Sequence, residues 1–196
     1  MLRAITVATL LVGMVGGCAR PVRPMGYQTI GQDPNRNTAQ ARKDSTQALR
    51  LLKDGKVAEA EELLKKALTA DVMFGPAHNN LGLVYFRAGQ LYLAAWEFQY
   101  ASRLMPHQPE PRNNLGLVLE AAGKLDEAIK SYDDALRLEP DNPQLLGNAA
   151  RARVRKGDKS DELRDMLEKL VMRDTRPDWI EWARKELAMR GKSKEN

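Results

Sequence analysis

Cysteine occurs once in this 196-residue chain, as Cys18, so no intrachain disulfide can hold the fold together. Histidine occurs twice, and neither His78 nor His107 has a carboxylate or cysteine at ligand-like sequence spacing. No glycine-rich phosphate loop follows a strand pattern, and neither Ser-x-x-Lys nor Gly-x-Ser-x-Gly occurs. These absences leave no metal, cofactor or catalytic constellation, and the chain reads as a non-enzyme. Aromatic residues make up only 6%, and alternating runs of Val, Ile and Thr are missing beyond the first fifteen residues. With 43% apolar and 29% charged residues, that balance suits helices with thin layers of core better than a β-rich fold. The net charge of +5 is mild and spread along the chain, without the concentrated basic run of a nucleic-acid binder, so no nucleic-acid partner is expected.

At the N-terminus a single basic residue, Arg3, precedes an uncharged, mostly apolar stretch from Ala4 to Gly17. The stretch is short for a membrane span, which needs about 20 apolar residues, and fits a secretory signal peptide over 1–17. It ends in Val15-Gly16-Gly17-Cys18, which resembles the bacterial lipobox: an aliphatic residue, two small residues, then cysteine. The resemblance implies lipid transfer to the Cys18 thiol, cleavage before it, and acylation of the new N-terminus. More than one acyl chain makes such an anchor stable. The alternatives are an ordinary signal peptide with an incidental cysteine, or an uncleaved anchor. Ala19, where Asp favours inner-membrane retention in enteric bacteria, leans toward the outer membrane facing the periplasm. Residues 18–40 read as the lipidated cysteine and a Pro-, Gly- and polar-rich linker, whose coil would span on the order of 25 Å. Met25, Tyr27 and Ile30 are out of place in a fully solvated tether.

Beyond the linker the chain repeats with a period of 34. Gly55, Gly89, Gly123 and Gly157 share one column, and with each glycine at position 15 the other columns align. Position 8 holds Ala48, Gly82, Gly116 and Ala150. Position 20 holds Ala60, Ala94, Ala128 and Glu162, and position 24 holds Leu64, Phe98, Tyr132 and Met166. Position 27 holds Ala67, Ala101, Ala135 and Lys169, and position 32 contains Pro106 and Pro140. Each unit predicts two antiparallel helices. Glycine at 15 can take the left-handed conformation that ends the first helix. The small residues let the two helices approach, and the large residue at 24 fills the space between them. Pro76, Pro109 and Pro143 suit a first helical turn. No pair buries its apolar face alone, so stacking supplies the core.

These columns resemble the tetratricopeptide repeat (TPR), carried best by His78, Leu81-Gly82, Tyr85, Ala94, Phe98 and Pro106, and then by Arg112, Leu115-Gly116, Leu119, Ala128, Tyr132 and Pro140. Gln47 in the first repeat, and Glu162 and Lys169 in the fourth, depart from the pattern. The resemblance implies an all-α solenoid of about four helix-turn-helix repeats over 41–174, near 41–74, 75–108, 109–142 and 143–174. A capping helix is expected over 175–190, with Trp179, Ile180, Ala183 and Leu187 in a stripe and Trp182 beside it, followed by a polar tail over 191–196. The two tryptophans either cover the last repeat or form a partner site.

TPR arrays present a concave groove lined by the first helix of each repeat. Here the resemblance assigns it Leu49, Leu52, Asn79, Leu83, Phe86, Arg87, Asn113, Leu117, Glu120, Arg151 and Arg155. It should be apolar through its middle, with amides along one side and arginines at the C-terminal end, suiting an extended peptide or amphipathic helix with an acidic end. The carboxylate clamp of chaperone-binding TPR domains is absent, because Leu49, Leu83 and Leu117 stand where it needs asparagine. Asn80 and Asn114 serve either the scaffold or a ligand. On the convex side Tyr92, Leu93, Trp96 and Tyr100 form an apolar stripe where polar residues are usual, and such a patch marks a contact. Either the linker residues Met25, Tyr27 and Ile30 fold back onto it, or another protein docks there. The expected role is a membrane-anchored scaffold for a protein or peptide partner in the bacterial cell envelope. TPR lipoproteins resembling this chain include pilus-assembly factors that help a secretin ring assemble, and others that recruit peptidoglycan hydrolases. The alternative is a structural lipoprotein that self-associates as a homo-oligomer.

Overall fold

The computed structural model describes residues 36–192, with side chains described as far as Arg190. Among the described residues there are nine helices and no strand: α1 (Thr38–Lys53), α2 (Val57–Ala70), α3 (Gly75–Arg87), α4 (Leu91–Leu104), α5 (Glu110–Ala121), α6 (Leu125–Leu136), α7 (Pro143–Lys156), α8 (Asp161–Arg173) and α9 (Pro177–Lys192). None of them is long and apolar enough to cross a membrane. The signal stretch, Cys18, Met25, Tyr27 and Ile30 lie outside the described residues.

The first helix of each pair (α1, α3, α5, α7) ends in one repeated device. Gly55, Gly89, Gly123 and Gly157 have φ between 72° and 80°, a conformation that glycine adopts without the clash a Cβ would cause. The turn this makes lets the next amide reach back five residues: Lys56 to Leu51, Gln90 to Tyr85, Lys124 to Leu119, and Asp158 to Arg153, at 2.8–3.0 Å. The otherwise unpaired carbonyls of the last turn are thereby satisfied.

Close approach of the two helices in each pair depends on the small column at position 8. A Cβ on Gly82 would lie 2.7 Å from Phe98 Cε1, and one on Gly116 would lie 2.5 Å from Tyr132 Cε1. Both rings are fully buried, as are Ala94, Ala101, Ala128 and Ala135 beside them. Each first helix packs on its own second helix, and each second helix also packs on the next first helix. Successive first helices touch as well: α1 with α3, α3 with α5, and α5 with α7. The array therefore bends with α1, α3, α5 and α7 on its inner side and α2, α4, α6 and α8 on its outer side.

Several boundaries differ from the sequence reading. Helix α1 starts at Thr38, inside the expected linker. Asn37 caps it by accepting from the Gln40 amide, and the Asn37 amide donates to Ala70 O at 2.8 Å. Arg36 Nε and Thr38 Oγ1 both reach the Asp71 carboxylate, at 2.8 and 2.7 Å. Burial pushes the Asp71 carboxyl up, but the hydrogen bonds from Thr38, Arg36 and the Met73 amide outweigh it and hold the group below its ordinary value. Pro109 is the residue before α5, and Pro111 occupies its first turn. Helices α2 and α8 stop without a proline at position 32. Instead Asp71 and Asp174, both buried, accept the amides two residues on, from Met73 and Arg176. At the C-terminus α9 runs to Lys192, into the expected tail. Trp179 lies over Gly147 of α7, where a Cβ would be 2.8 Å from the indole. Trp182 meets Trp179 edge to face at 5.5 Å, and Ala183 is fully buried, so the tryptophans do cover the last repeat.

Gly116→Ala is expected to lower the unfolding free energy by about 1–3 kcal/mol, because Tyr132 has no space to yield. A shift of the urea midpoint at unchanged slope checks it.

Candidate functional site: the inner face

The inner face is organised by a ladder of polar contacts between neighbouring first helices. Asn80 Nδ2 donates to Ser45 Oγ at 2.9 Å, Asn114 Nδ2 to Asn79 Oδ1 at 3.0 Å, and Asn148 Nδ2 to Asn113 Oδ1 at 2.8 Å. Each rung joins position 6 of one repeat to position 5 of the preceding repeat. Asn80 and Asn114 thus serve the scaffold. Asn113 is buried and Asn79 half-buried, so the expected free row of groove amides is consumed by packing. A second set of rungs starts at position 13. Arg87 Nη1 donates to the Leu52 carbonyl at 2.7 Å, and Arg155 Nη1 to Glu120 Oε1 at 2.8 Å.

Glu120 changes the expected chemistry of the C-terminal end. It is 5% exposed, facing inward, and gathers four donors. Arg151 Nε and Nη2 reach its two oxygens at 3.1 and 2.9 Å, Arg155 adds the third bond, and Tyr132 Oη donates to Oε2 at 2.9 Å. Burial pushes the Glu120 carboxyl up, but the bonds from Arg151, Arg155 and Tyr132 outweigh it and set the group below the usual carboxylate value. Burial and the neighbouring Glu120 charge push the Tyr132 phenol well above its ordinary range, so it stays a donor. Arg151 and Arg155 are therefore not a free pair of cations. They leave one net positive charge at this end. The Arg151 guanidinium also lies over the Trp179 ring at 5.5 Å, and Arg176 lies over the same ring at 4.8 Å.

The apolar part of the groove is narrower than expected. Leu52 is buried in the core of the first two repeats and offers nothing to a ligand. Leu49 is 37% exposed, and Leu83, Leu117 and Phe86 are half-buried. The accessible apolar line is Leu49, Leu83 and Leu117, one per repeat, with Phe86 alongside.

Charge is sorted by layer, which the linear sequence hides. Helices α1, α3, α5 and α7 together carry ten basic residues against three acidic. Helices α2, α4, α6 and α8 carry twelve acidic against seven basic. Across these eight helices the charge is thus sorted into a basic inner layer and an acidic outer one.

Two further clusters escaped the sequence reading. Arg153, 5% exposed, forms a two-pronged pair with Asp133 at 2.9 and 3.0 Å and reaches Glu162 at 3.2 Å. It stands at position 11, where Tyr85 and Leu119 are apolar. Glu162, the anomalous residue at position 20, was its signal: each of these two departures explains the other. His78 has Nδ1 2.6 Å from Glu97 Oε2 and Nε2 2.9 Å from the Val72 carbonyl, so both ring nitrogens are spent on joining α3 to α4 and to the preceding loop. On the outer face Tyr92, Leu93 and Trp96 are 79%, 43% and 60% exposed. Tyr100 is not part of that patch. It is half-buried, with its ring edge on His78 at 4.5 Å and its hydroxyl 3.6 Å from Met73 Sδ. A cleft of about 560 Å³ lies between the start of α8 and the end of α9, away from the inner face.

Helix pairs, glycine turns and inner-face rungs are those of a tetratricopeptide-repeat protein. Residues 45–109 and 109–142 match tetratricopeptide-repeat family models, together half of the chain, and the chain belongs to that family. Solved structures of similar fold include MamA, at 24% identity and a TM-score of 0.63, over 74% of this chain and 81% of that one. YrrB, a TPR protein with an unusual peptide-binding site, is 23% identical with a TM-score of 0.62, covering 76% of each chain. The first TPR of Spaghetti (RPAP3), bound to the HSP90 peptide SRMEEVD, is 23% identical with a TM-score of 0.61, over 64% of this chain and 99% of that one. No curated protein matches by sequence.

The Glu120 bonds stabilise the fold fully above the carboxyl's unfolded value, near pH 4.3, and are lost as pH falls through its lower folded value. Glu120→Gln is expected to cost about 1–3 kcal/mol at pH 7. Urea midpoints for the two proteins should converge as the pH is lowered toward about 2.

Proposed function

We propose that this chain is a lipid-anchored adaptor of the bacterial cell envelope that grips a segment of a partner protein on its inner face. The observation that carries this is the coincidence of Leu49, Leu83 and Leu117 with the basic inner layer. Neighbouring packed helices lie about 8–10 Å apart. A polyproline-type segment advances about 9 Å in each turn of three residues, so an apolar side chain at every third position would meet one leucine per repeat. Carboxylates between or beyond them would face Lys53, Arg87, Arg151 and Arg155. The peptide held by the Spaghetti TPR contains two glutamates and an aspartate. That supports acidic peptides as ligands of this architecture, although leucine at position 9 requires a different grip here.

We also read the chain as non-catalytic. Three buried ionisable clusters are engaged in packing: His78 with Glu97, Glu120 with Arg151, Arg155 and Tyr132, and Arg153 with Asp133 and Glu162. The lipobox at 15–18 and the following linker support anchoring at Cys18 and, through Ala19, an outer-membrane position facing the periplasm. Assistance in assembling a pilus or secretion complex is the service such an anchored adaptor suits.

Affinity purification of the lipidated chain from envelope extract should recover a partner that a Leu83→Lys, Leu117→Lys variant loses. Recovery of the chain alone would contradict the adaptor reading. Incorporation of labelled palmitate should vanish in Cys18→Ser, and retained label would refute the anchor.

A further inference from the structure

Tyr92, Leu93 and Trp96 expose a continuous apolar surface on α4 that its own core does not need. Ala94, Phe98 and Ala101 already fill the buried columns of that helix and are fully buried. The same outer positions elsewhere are small or polar: Ala58, Glu59 and Glu62 on α2, Asp126, Glu127 and Lys130 on α6, and Ser160, Asp161 and Arg164 at α8. The apolar surface is therefore confined to one helix.

A series of contacts joins the start of the described chain to α4. Arg36 is 2.8 Å from Asp71, Asp71 accepts the Met73 amide at 3.0 Å, and Met73 Sδ lies 3.6 Å from the Tyr100 hydroxyl. These contacts lead from Arg36 to Tyr100, one turn of α4 beyond Trp96. Trp96 and Tyr92 lie one and two turns farther along, about 6 and 12 Å at 1.5 Å per residue. Ile30, Tyr27 and Met25 are six, nine and eleven residues before Arg36. An extended chain covers up to about 3.5 Å per residue, so Ile30 reaches about 20 Å, and Tyr27 and Met25 reach about 30 Å or more.

We propose that residues 25–30 of this chain bind across Tyr92, Leu93 and Trp96 as an intramolecular strap, with Ile30 toward Trp96 and Met25 toward Tyr92. Two apolar surfaces otherwise left in water, one on each side of Arg36, cover each other. The strap shortens the free tether to the few residues that follow Cys18. It thereby fixes the outer face of the second repeat close to the anchoring end and turns the inner face away from it.

Intrachain disulfide formation tests this in the full chain carrying Cys18→Ser, which removes the single native thiol. Gln28→Cys is paired with Gln99→Cys, beside the patch, or with Glu62→Cys, an exposed position on α2 nine residues before Asp71. The strap predicts that the Gln99 pair closes at least tenfold faster than the Glu62 pair. It also predicts that adding Trp96→Ser, a change at a largely exposed side chain, removes that advantage. Equal closure rates, or a rate indifferent to Trp96→Ser, would overturn the proposal. So would disulfide-linked dimers in place of the intrachain product, which would assign the patch to a second copy.

Discussion

The structure depends on one close approach: a glycine in the first helix of a repeat set against a buried aromatic ring in the second. At Gly82 with Phe98, and at Gly116 with Tyr132, the ring occupies the space where a Cβ would stand. In these two pairs the ring fits only because position 8 has no side chain; where position 24 is Leu64 or Met166, position 8 is alanine. Once the pair is fixed, its remaining apolar face must be covered by the next pair, and the stack follows. The left-handed glycine at the end of each first helix sets the same reversal four times, so the pairs superpose along a common curve.

The curvature then decides what the inner face can be. First helices pack edge to edge there, and buried amides and arginines between them are tied by hydrogen bonds, since an unpaired buried polar group is costly. This explains why Asn79, Asn113 and Arg155 hold the scaffold together in place of standing free. It also places Glu120 where it neutralises part of the arginine end, leaving a graded basic surface with a thin apolar line. Under the proposed function, long-range attraction of acidic segments would come from the whole inner layer, and the leucine line would supply register.

Much of the fold was legible because its constraints act on single columns. Glycine at 15, small residues at 8, 20 and 27, and a large residue at 24 each have one physical reason, so their period of 34 specified helix pairs and their order. The site was less legible because its residues act between columns. Glu120 reads as an ordinary polar groove residue until Arg151, Arg155 and Tyr132 converge on it from two other helices. Leu52 shares the pattern of Leu49 but points into the core. Glu162 departs from the repeat pattern, yet it supplies a charge partner for the buried Arg153. The layered charge was invisible along the chain because basic and acidic helices alternate, and a running sum averages them away.

The central claim is that ligands are held by the inner layer. The most direct measurement is amide hydrogen exchange on the purified complex with whichever protein the chain captures. The account predicts added protection on α1, α3, α5 and α7, strongest around Leu83 and Leu117, with α2, α6 and α8 unchanged. Protection concentrated on the outer helices, with the inner face exchanging as in the free chain, would contradict it.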